Sequence, residues 1–355
     1  MSIFKGEKLN IEIFGESHSE RIGAKVSGFP KMEIDFENLE KFLSRRRPNL
    51  ENYSTKRREK DKPIFSKLTD NGAIDGDFTV EIENKDVKSS DYDDLYAKPR
   101  PSHADYTRYL KEGELNYTGG GRFSGRLTAP FCVVGGLLKQ YLKKNYGVEI
   151  FAYLSSVGKV KGKSYKDGEI TIRDFDGNGD FPALSNQVEM LNEIKRVSAE
   201  GDSVGAVLEC IVFGMPTGVG NDLFGGLESK MAYTLYAIPG VKGVEFGYGF
   251  DLAQSVGSQS NDQLRINNGK VEIVTNKAGG INGGISNGNP ITLSVGFRPT
   301  PSISKLQNTI DLEKMQNTQI EIKGRHDSCF AVRAVPVVES AVAIAIADAL
   351  LGEEK

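Results

Sequence analysis

The chain has no tryptophan and only three histidines and three cysteines among its 355 residues. Cys132, Cys210 and Cys329 are odd in number and far apart, with no Cys-x-x-Cys pair. That argues against a disulfide framework or a structural zinc site and suits a reducing cytoplasm. An excess of charge of one sign is also lacking: 45 Lys and Arg stand against 48 Asp and Glu, a net of −3. There is no polyelectrolyte field for indiscriminate nucleic-acid binding. Met1 to Lys8 contain no apolar core, so no secretion signal is expected. The longest apolar run, Ala341 to Ala347 extended through Asp348 to Leu351, falls short of the ~18 residues of a membrane span and reads as a buried C-terminal helix.

Glycine is in excess: 40 of 355 residues, roughly 11% against a typical ~7%. It occurs in motifs rather than repeats, which points to tight loops and close backbone approach. The length allows two domains or one large one. No linker or shift of composition divides the chain, so residues 1–355 read as one domain. Strands and helices interleave without regular β–α alternation, which favours an α+β fold over a doubly wound sheet.

Every histidine sits in a polar, Gly- or Pro-punctuated knot. Gln319-Ile320-Glu321-Ile322-Lys323 alternates as a strand and runs into Gly324-Arg325-His326-Asp327. Asn10-Ile11-Glu12-Ile13-Phe14 does the same into Gly15-Glu16-Ser17-His18. The third histidine lies in Arg100-Pro101-Ser102-His103-Ala104-Asp105. A site drawn from three distant segments is the simplest reading; three solvated loop histidines is the plainer one.

Asp35 reads as the N-cap of a helix whose stripe is Leu39, Phe42 and Leu43, stopped by Arg45-Arg46-Arg47-Pro48. Cations in a last turn complement the helix dipole, which is the bland account of these arginines. With Lys56-Arg57-Arg58-Glu59-Lys60 they also fit a small polyanion. Gly119-Gly120-Gly121-Arg122-Phe123-Ser124-Gly125-Arg126 opens into a helix through Phe131 to Leu138, where backbone N–H groups could converge on an anion, or merely form a turn. Strands are expected at Phe78 to Ile82, Gly168 to Arg173, Ala206 to Phe213 and Ile291 to Phe297. Helices are expected at Asn186 to Ala199 and Gly225 to Ile238, the latter followed by Pro239-Gly240 and a glycine-rich loop, Val241 to Gly247. A further glycine cluster spans Ala278 to Ser286.

Taken together, these segments resemble the chorismate synthase family over nearly the whole chain. The resemblance is carried by Gly15 to His18, Arg45 to Pro48, Lys56 to Glu59, Arg100 to Thr107, Gly119 to Arg126, Val241 to Glu245, Ala278 to Ser286, Arg298-Pro299-Thr300-Pro301-Ser302, and Gly324 to Asp327 with Arg333-Ala334-Val335-Pro336. Each is short; nine in order are not coincidence. The resemblance implies two intertwined pseudo-symmetric halves with helices layered between sheets, a homotetramer, and no nucleic-acid, membrane or metal partner. It implies a lyase that eliminates phosphate from 5-enolpyruvylshikimate 3-phosphate to give chorismate, with reduced FMN required but not consumed. The paired Ile-Glu-Ile strands would be a trace of the duplication.

By the same resemblance His18 is the acid for the departing phosphate, His103 serves the N1 side of the flavin, and Asp327 is a base relay at its N5. Ser17, Arg46, Arg57, Arg100, Arg126 and Arg325 fall to the substrate. Arg122, Phe123, Ser124, Pro239, Gly240, Gly283, Arg298, Pro299, Thr300, Pro301, Ser302 and Arg325 fall to FMN, while His326 is structural. Departures are Phe123, Gly125 and Leu127 for Ser, Ala and Glu, Arg298 for Lys, Pro301 for Ser, Asn52 for Arg, Ser102 for Gly, and Pro239-Gly240 for Asn-Ala. Compact length without large insertions points to a separate reductase rather than flavin reduction with NADPH by the enzyme itself. Two other classes are a metal-dependent phosphohydrolase using His103, Asp105, His326 and Asp327, and an anion- or RNA-binding protein built on the arginine runs.

Overall fold

Phe78, Val80 and Ile82 are buried along one face of a strand whose other face carries Thr79 and Glu81, the period-two pattern of a half-covered sheet. The computed structural model that shows this describes residues 2–48, 60–84, 96–113, 115, 119–176, 181–322 and 327–353. In chain order its strands are β1 Ser2–Lys5, β2 Asn10–Phe14, β3 Arg21–Ser27, β4 Met32–Glu33, β5 Pro63–Phe65, β6 Ala73–Ile74, β7 Phe78–Glu83, β8 Glu149–Val157, β9 Val160–Lys161 and β10 Ala206–Phe213. They continue as β11 Val241–Phe246, β12 Leu264–Asn267, β13 Lys270–Ile273, β14 Ile281–Asn282, β15 Ile285–Ser286, β16 Ile291–Phe297, β17 Gln307–Asp311 and β18 Gln316–Ile320. The helices are α1 Phe36–Ser44, α2 Asp105–Glu112, α3 Thr128–Tyr146, α4 Gln187–Ala199, α5 Leu227–Tyr236, α6 Gly257–Ser260 and α7 Ala331–Glu353.

Two antiparallel five-stranded sheets dominate, in the orders β1-β2-β3-β7-β5 and β11-β16-β10-β8-β9. Helix α3 packs on β3 and β7 of the first sheet and on β8 of the second; α7 packs on α3, α5, β8 and β10. The helices therefore form a layer between the sheets, and the fold is α+β. The outer face of the second sheet is covered as well: Tyr165, Ile170, Phe175 and Leu184 lie over Tyr153, Ile211 and Phe213. This is why β8, β10 and β16 are buried almost continuously rather than alternately.

The middle layer demands close helix approach. A Cβ on Gly135 of α3 would sit 2.2 Å from that of Ser340 on α7, so only glycine fits there. Helix α7 is longer than its apolar run suggested, beginning at Ala331 and passing through Pro336. It is long and apolar enough to cross a membrane, but all of it from Ala331 to Leu351 is buried inside the protein. Helix α1 begins where its cap predicts, with Asp35 accepting from the Asn38 N–H at 2.9 Å.

Three expectations are corrected. Gly168 to Arg173 is no strand: Thr171 and Asp174 form a capping box on a short 3₁₀ turn, Ile172–Phe175. Val241 to Gly247 is no loop: it forms β11, whose glycine accommodates a bulge between Val241 and Gly243 opposite β16. The second Ile-Glu-Ile segment is not the counterpart of the first. Strand β18 ends at Ile320 and belongs to a two-stranded ribbon with β17, whereas β2 lies inside the first sheet.

Candidate active site

One cavity is lined by Ser17, His18, Arg46, Arg100, His103, Phe123, Ser124, Arg126, Pro239, Gly240, the Arg298 to Ser302 segment and Asp327. The buried helices α3 and α7 both begin at its wall, where Gly125, Arg126, Phe330 and Arg333 also line it. Helix N-termini carry partial positive charge, and five cavity-lining arginines add to it. A polyanion is the ligand class this field fits.

The glycine run does not act as a backbone cradle. It folds into two 3₁₀ turns, Gly121–Phe123 and Gly125–Leu127, in which the N–H groups of Phe123, Ser124 and Leu127 close on their own carbonyls. Its role is to brace the first histidine. The Gly121 N–H donates to Ser17 Oγ at 3.1 Å, the Ser17 N–H donates to the Gly121 carbonyl at 3.0 Å, and Ser17 Oγ lies 2.8 Å from His18 Nδ1. Oγ accepts from Gly121 and its O–H can donate to Nδ1, the arrangement in which the imidazole proton sits on Nε2. Gly119 has φ +67°, and a Cβ there would fall 2.4 Å from the His18 ring. Asn84 pins the same loop, donating to the Ser17 and Ser19 carbonyls at 2.8 and 3.0 Å.

His103 is held differently. Its Nδ1 faces the Pro101 carbonyl at 3.2 Å, an acceptor only, so Nδ1 carries the proton; Nε2 meets Ser302 Oγ at 2.8 Å. Burial, with Arg100 nearby, pulls its pKa down to about 4, so the imidazole is neutral near pH 7. The Arg100 fork is engaged by Asp105, from Nε at 2.7 Å and Nη2 at 2.8 Å, and Nη2 also donates to the Gly119 carbonyl. That pairing occupies the carboxylate a metal site would have used.

Arg46 and Arg126 converge on Asp61, a residue with no sequence signal in its highly charged surroundings. Arg46 Nη1 donates to Oδ2 at 2.6 Å and Arg126 Nη1 to Oδ1. Arg46 also donates to Thr128 Oγ1 and the Gly125 carbonyl, and Arg126 Nε to Asn84 Oδ1. Burial alone would raise the Asp61 pKa, but the two guanidiniums outweigh it and hold the carboxyl below its usual range. Arg333 was visible only as part of a motif; a lone arginine in an apolar helix is the signal for its role. It donates to Asp327 at 2.9 Å and to the Arg46 carbonyl at 2.9 Å. The Thr300 hydroxyl is buried with no partner among the described residues, a donor left for a ligand.

Two expected contacts lie elsewhere. Arg122 pairs with Glu112, stacks on Phe123, and lines an adjoining apolar pocket. Gly283 is at the exposed tip of the β14–β15 hairpin, with φ +62° and open space around it. Arg57, Arg325 and His326 fall outside the described residues.

A family model for chorismate synthase matches residues 9–351. Curated chorismate synthases from Dehalococcoides mccartyi, Thermococcus kodakarensis and Pyrococcus abyssi are similar to this chain. The first is 38% identical over 99% of this chain and 97% of its own length. The second is 40% identical over 98% and 97%, and the third 41% over 98% and 97%. A crystal structure of chorismate synthase shares the fold with a TM-score of 0.74 at 23% identity, covering 98% of this chain and 93% of that one. An arginine-rich cavity between two helix N-termini, set in an α+β fold matched end to end, thus has its context: the chain belongs to the chorismate synthase family, whose members are carbon–oxygen lyases.

Proposed function

We propose that this protein eliminates phosphate from 5-enolpyruvylshikimate 3-phosphate to give chorismate, with reduced FMN bound beside the substrate and unchanged at the end. The observation that carries this reading is the convergence of Arg46, Arg100, Arg126, Arg298 and Arg333 with His18 and His103 on one cavity, in a chain of this family. A ligand with one phosphate and two carboxylates is costly to bury unless each charge meets a partner. Arginine forks and helix N-termini are such partners.

The residues present fit a flavin. Phe123, Phe330, Pro239, Pro299 and Pro301 offer apolar walls for a planar ring, and Thr300 and Arg298 offer polar groups. When bound there, reduced FMN would supply transient electron density to the substrate ring, with no net redox change. The protein's part is positional and acid–base. His18, with its proton on Nε2, protonates the phosphate as the C–O bond breaks. His103 is neutral in the ligand-free cavity; an anion bound against it raises its pKa and lets it carry charge only in the complex. Asp327, oriented by Arg333, is the acceptor in the proton relay. A separate reductase supplies the reduced flavin, and the protein works in the cytoplasm.

We read the assembly as a homotetramer. Phe224 and Leu223, 94% and 81% exposed, are large apolar groups that association would cover.

Anaerobic incubation with 5-enolpyruvylshikimate 3-phosphate and added reduced FMN is the direct test. Chorismate and inorganic phosphate should appear in equal amounts, and His18→Ala should slow turnover by about 10²–10⁴. No chorismate from the wild type would overturn the reading.

A further inference from the structure

Asp61 lies behind the cavity wall. It is 2% exposed and has φ +45°, a left-handed backbone that Asp and Asn tolerate better than other side chains. Each of its oxygens takes one guanidinium: Oδ2 from Arg46, Oδ1 from Arg126. These contacts extend a continuous chain of hydrogen bonds across the site. Asn84 joins the His18 loop to Arg126, Asp61 joins Arg126 to Arg46, and Arg333 joins the Arg46 carbonyl to Asp327. Asp61 is the link through which the two arginines are fixed relative to each other.

We propose that Asp61 is a positioning residue that sets both the geometry and the net charge of the Arg46–Arg126 pair. It touches no reacting atom; it acts through the arginines. Two guanidiniums alone would present two positive charges and repel each other, so their spacing would relax. With Asp61 between them, the pair is held at one separation and presents a net of one positive charge. That is enough to bind a phosphate, and it leaves the departing phosphate free to go.

The inference rests on the substrate reading above, so the test uses a probe that needs neither flavin nor turnover. Inorganic phosphate is titrated into the protein by calorimetry at low ionic strength, beside steady-state measurements on the substrate. Asp61→Asn keeps the size and tolerates the backbone, so it removes the charge alone. It should bind phosphate about tenfold more tightly, with KM falling and kcat dropping by tenfold or more. A merely structural role would leave both phosphate affinity and the KM-against-kcat balance of the folded protein unchanged, and that result overturns the proposal.

Should Asp61→Asn not fold, the double variant Asp61→Asn/Arg46→Met restores the net charge. It should bind phosphate more tightly than Arg46→Met alone; equal affinity overturns the proposal. If Asp61→Asn shifts phosphate affinity while no version of the protein makes chorismate, the substrate reading fails and the positioning role stands. Unchanged phosphate affinity beside normal chorismate formation has the opposite meaning.

Discussion

Arg45 and Arg46 are neighbours in the chain, yet Arg45 turns into the helical layer and Arg46 turns toward the cavity. Each joins a cluster of one buried carboxylate and two cations. In the helical layer Glu339 of α7 accepts from Arg45 at 2.8 and 3.0 Å and from Lys139 of α3, while the Ala152 N–H donates to it at 3.0 Å. At the cavity Asp61 accepts from Arg46 and Arg126. The two carboxylates are equally buried, but their cations differ: Arg46 and Arg126 are almost fully buried and line the cavity, whereas the Arg45 side chain is 40% exposed and is not among the cavity-lining residues. A buried charge cluster is therefore not by itself a sign of function, and neither is an exposed cation; cations that line a cavity are the sign.

The largest effect should come from breaking the helical cluster. Burial would push the Glu339 pKa up, but Arg45 and Lys139 outweigh it and hold the carboxyl at about 2. Glu339→Gln leaves Lys139 and the partly exposed Arg45 without their counter-charge; a broken buried pair typically costs about 3–5 kcal/mol, and water at Arg45 puts the loss at the lower end of that range. Urea melts should show that loss while kcat of the folded fraction is unchanged. A kinetic defect without a stability defect would erase the distinction between the clusters.

Exchanging the neighbours sharpens the contrast. Charge-assisted hydrogen bonds are worth roughly 1.5–3 kcal/mol, so Arg46→Met should lower kcat/KM by about 10- to 100-fold. Each arginine pairs with a buried carboxylate, so both variants should lower stability, but Arg45→Met should leave kcat/KM alone. If both arginines behaved alike in both assays, position relative to the cavity would carry no information.

The two regions should also fail in different pH windows. The His103 pKa is about 4 when folded against an ordinary 6.5, so the unfolded chain binds the proton first. Stability contributed at that site is full above pH 6.5 and is lost as pH falls toward 4, at up to about 1.4 kcal/mol per unit. Glu339, depressed from 4.5 to about 2, loses its contribution lower, between those values. His103→Gln should flatten the upper window and Glu339→Gln the lower, read from unfolding free energies across the acid range. A His103→Gln curve superimposable on wild type between pH 6.5 and 4 would mean that the imidazole is not held neutral.

The strands and helices were legible wherever one pattern held for several residues. Strand β7 stands where alternation places it, β10 and β16 where short, mostly apolar runs do, and the cap of α1 where Asp35 does. Gly168 to Arg173 misled because a capping box can imitate alternation, and β11 because a glycine-rich stretch in a sheet can be a bulge. At the site, histidines and arginines in polar knots were visible as chemistry, and the cavity gathers most of them. Asp61 was not visible. In Lys60-Asp61-Lys62-Pro63 it looks like a solvated surface carboxylate, and its burial depends on two arginines distant in sequence. Arg122 misled the other way, since Glu112 draws it out of the cavity.

Arg47 completes the run and supplies the smallest expected effect. Its Nη1 and Nη2 reach Glu40, about two helical turns back, at 2.5 and 2.9 Å, and the Glu40 side chain is 52% exposed. Exposed pairs gain little, because water and salt screen them and two long side chains must be held in place. Arg47 Nε is buried with no partner among the described residues, which offsets part of what the pair contributes. Arg47→Ala should therefore change unfolding free energy by less than about 1 kcal/mol and leave kcat/KM as it was. Three adjacent arginines would then give three outcomes: lost stability alone at Arg45, lost turnover as well at Arg46, and almost nothing at Arg47. A tenfold or greater loss of kcat/KM in Arg47→Ala would place that residue on the ligand and make the run act as one cationic surface, against the division drawn between its first two members.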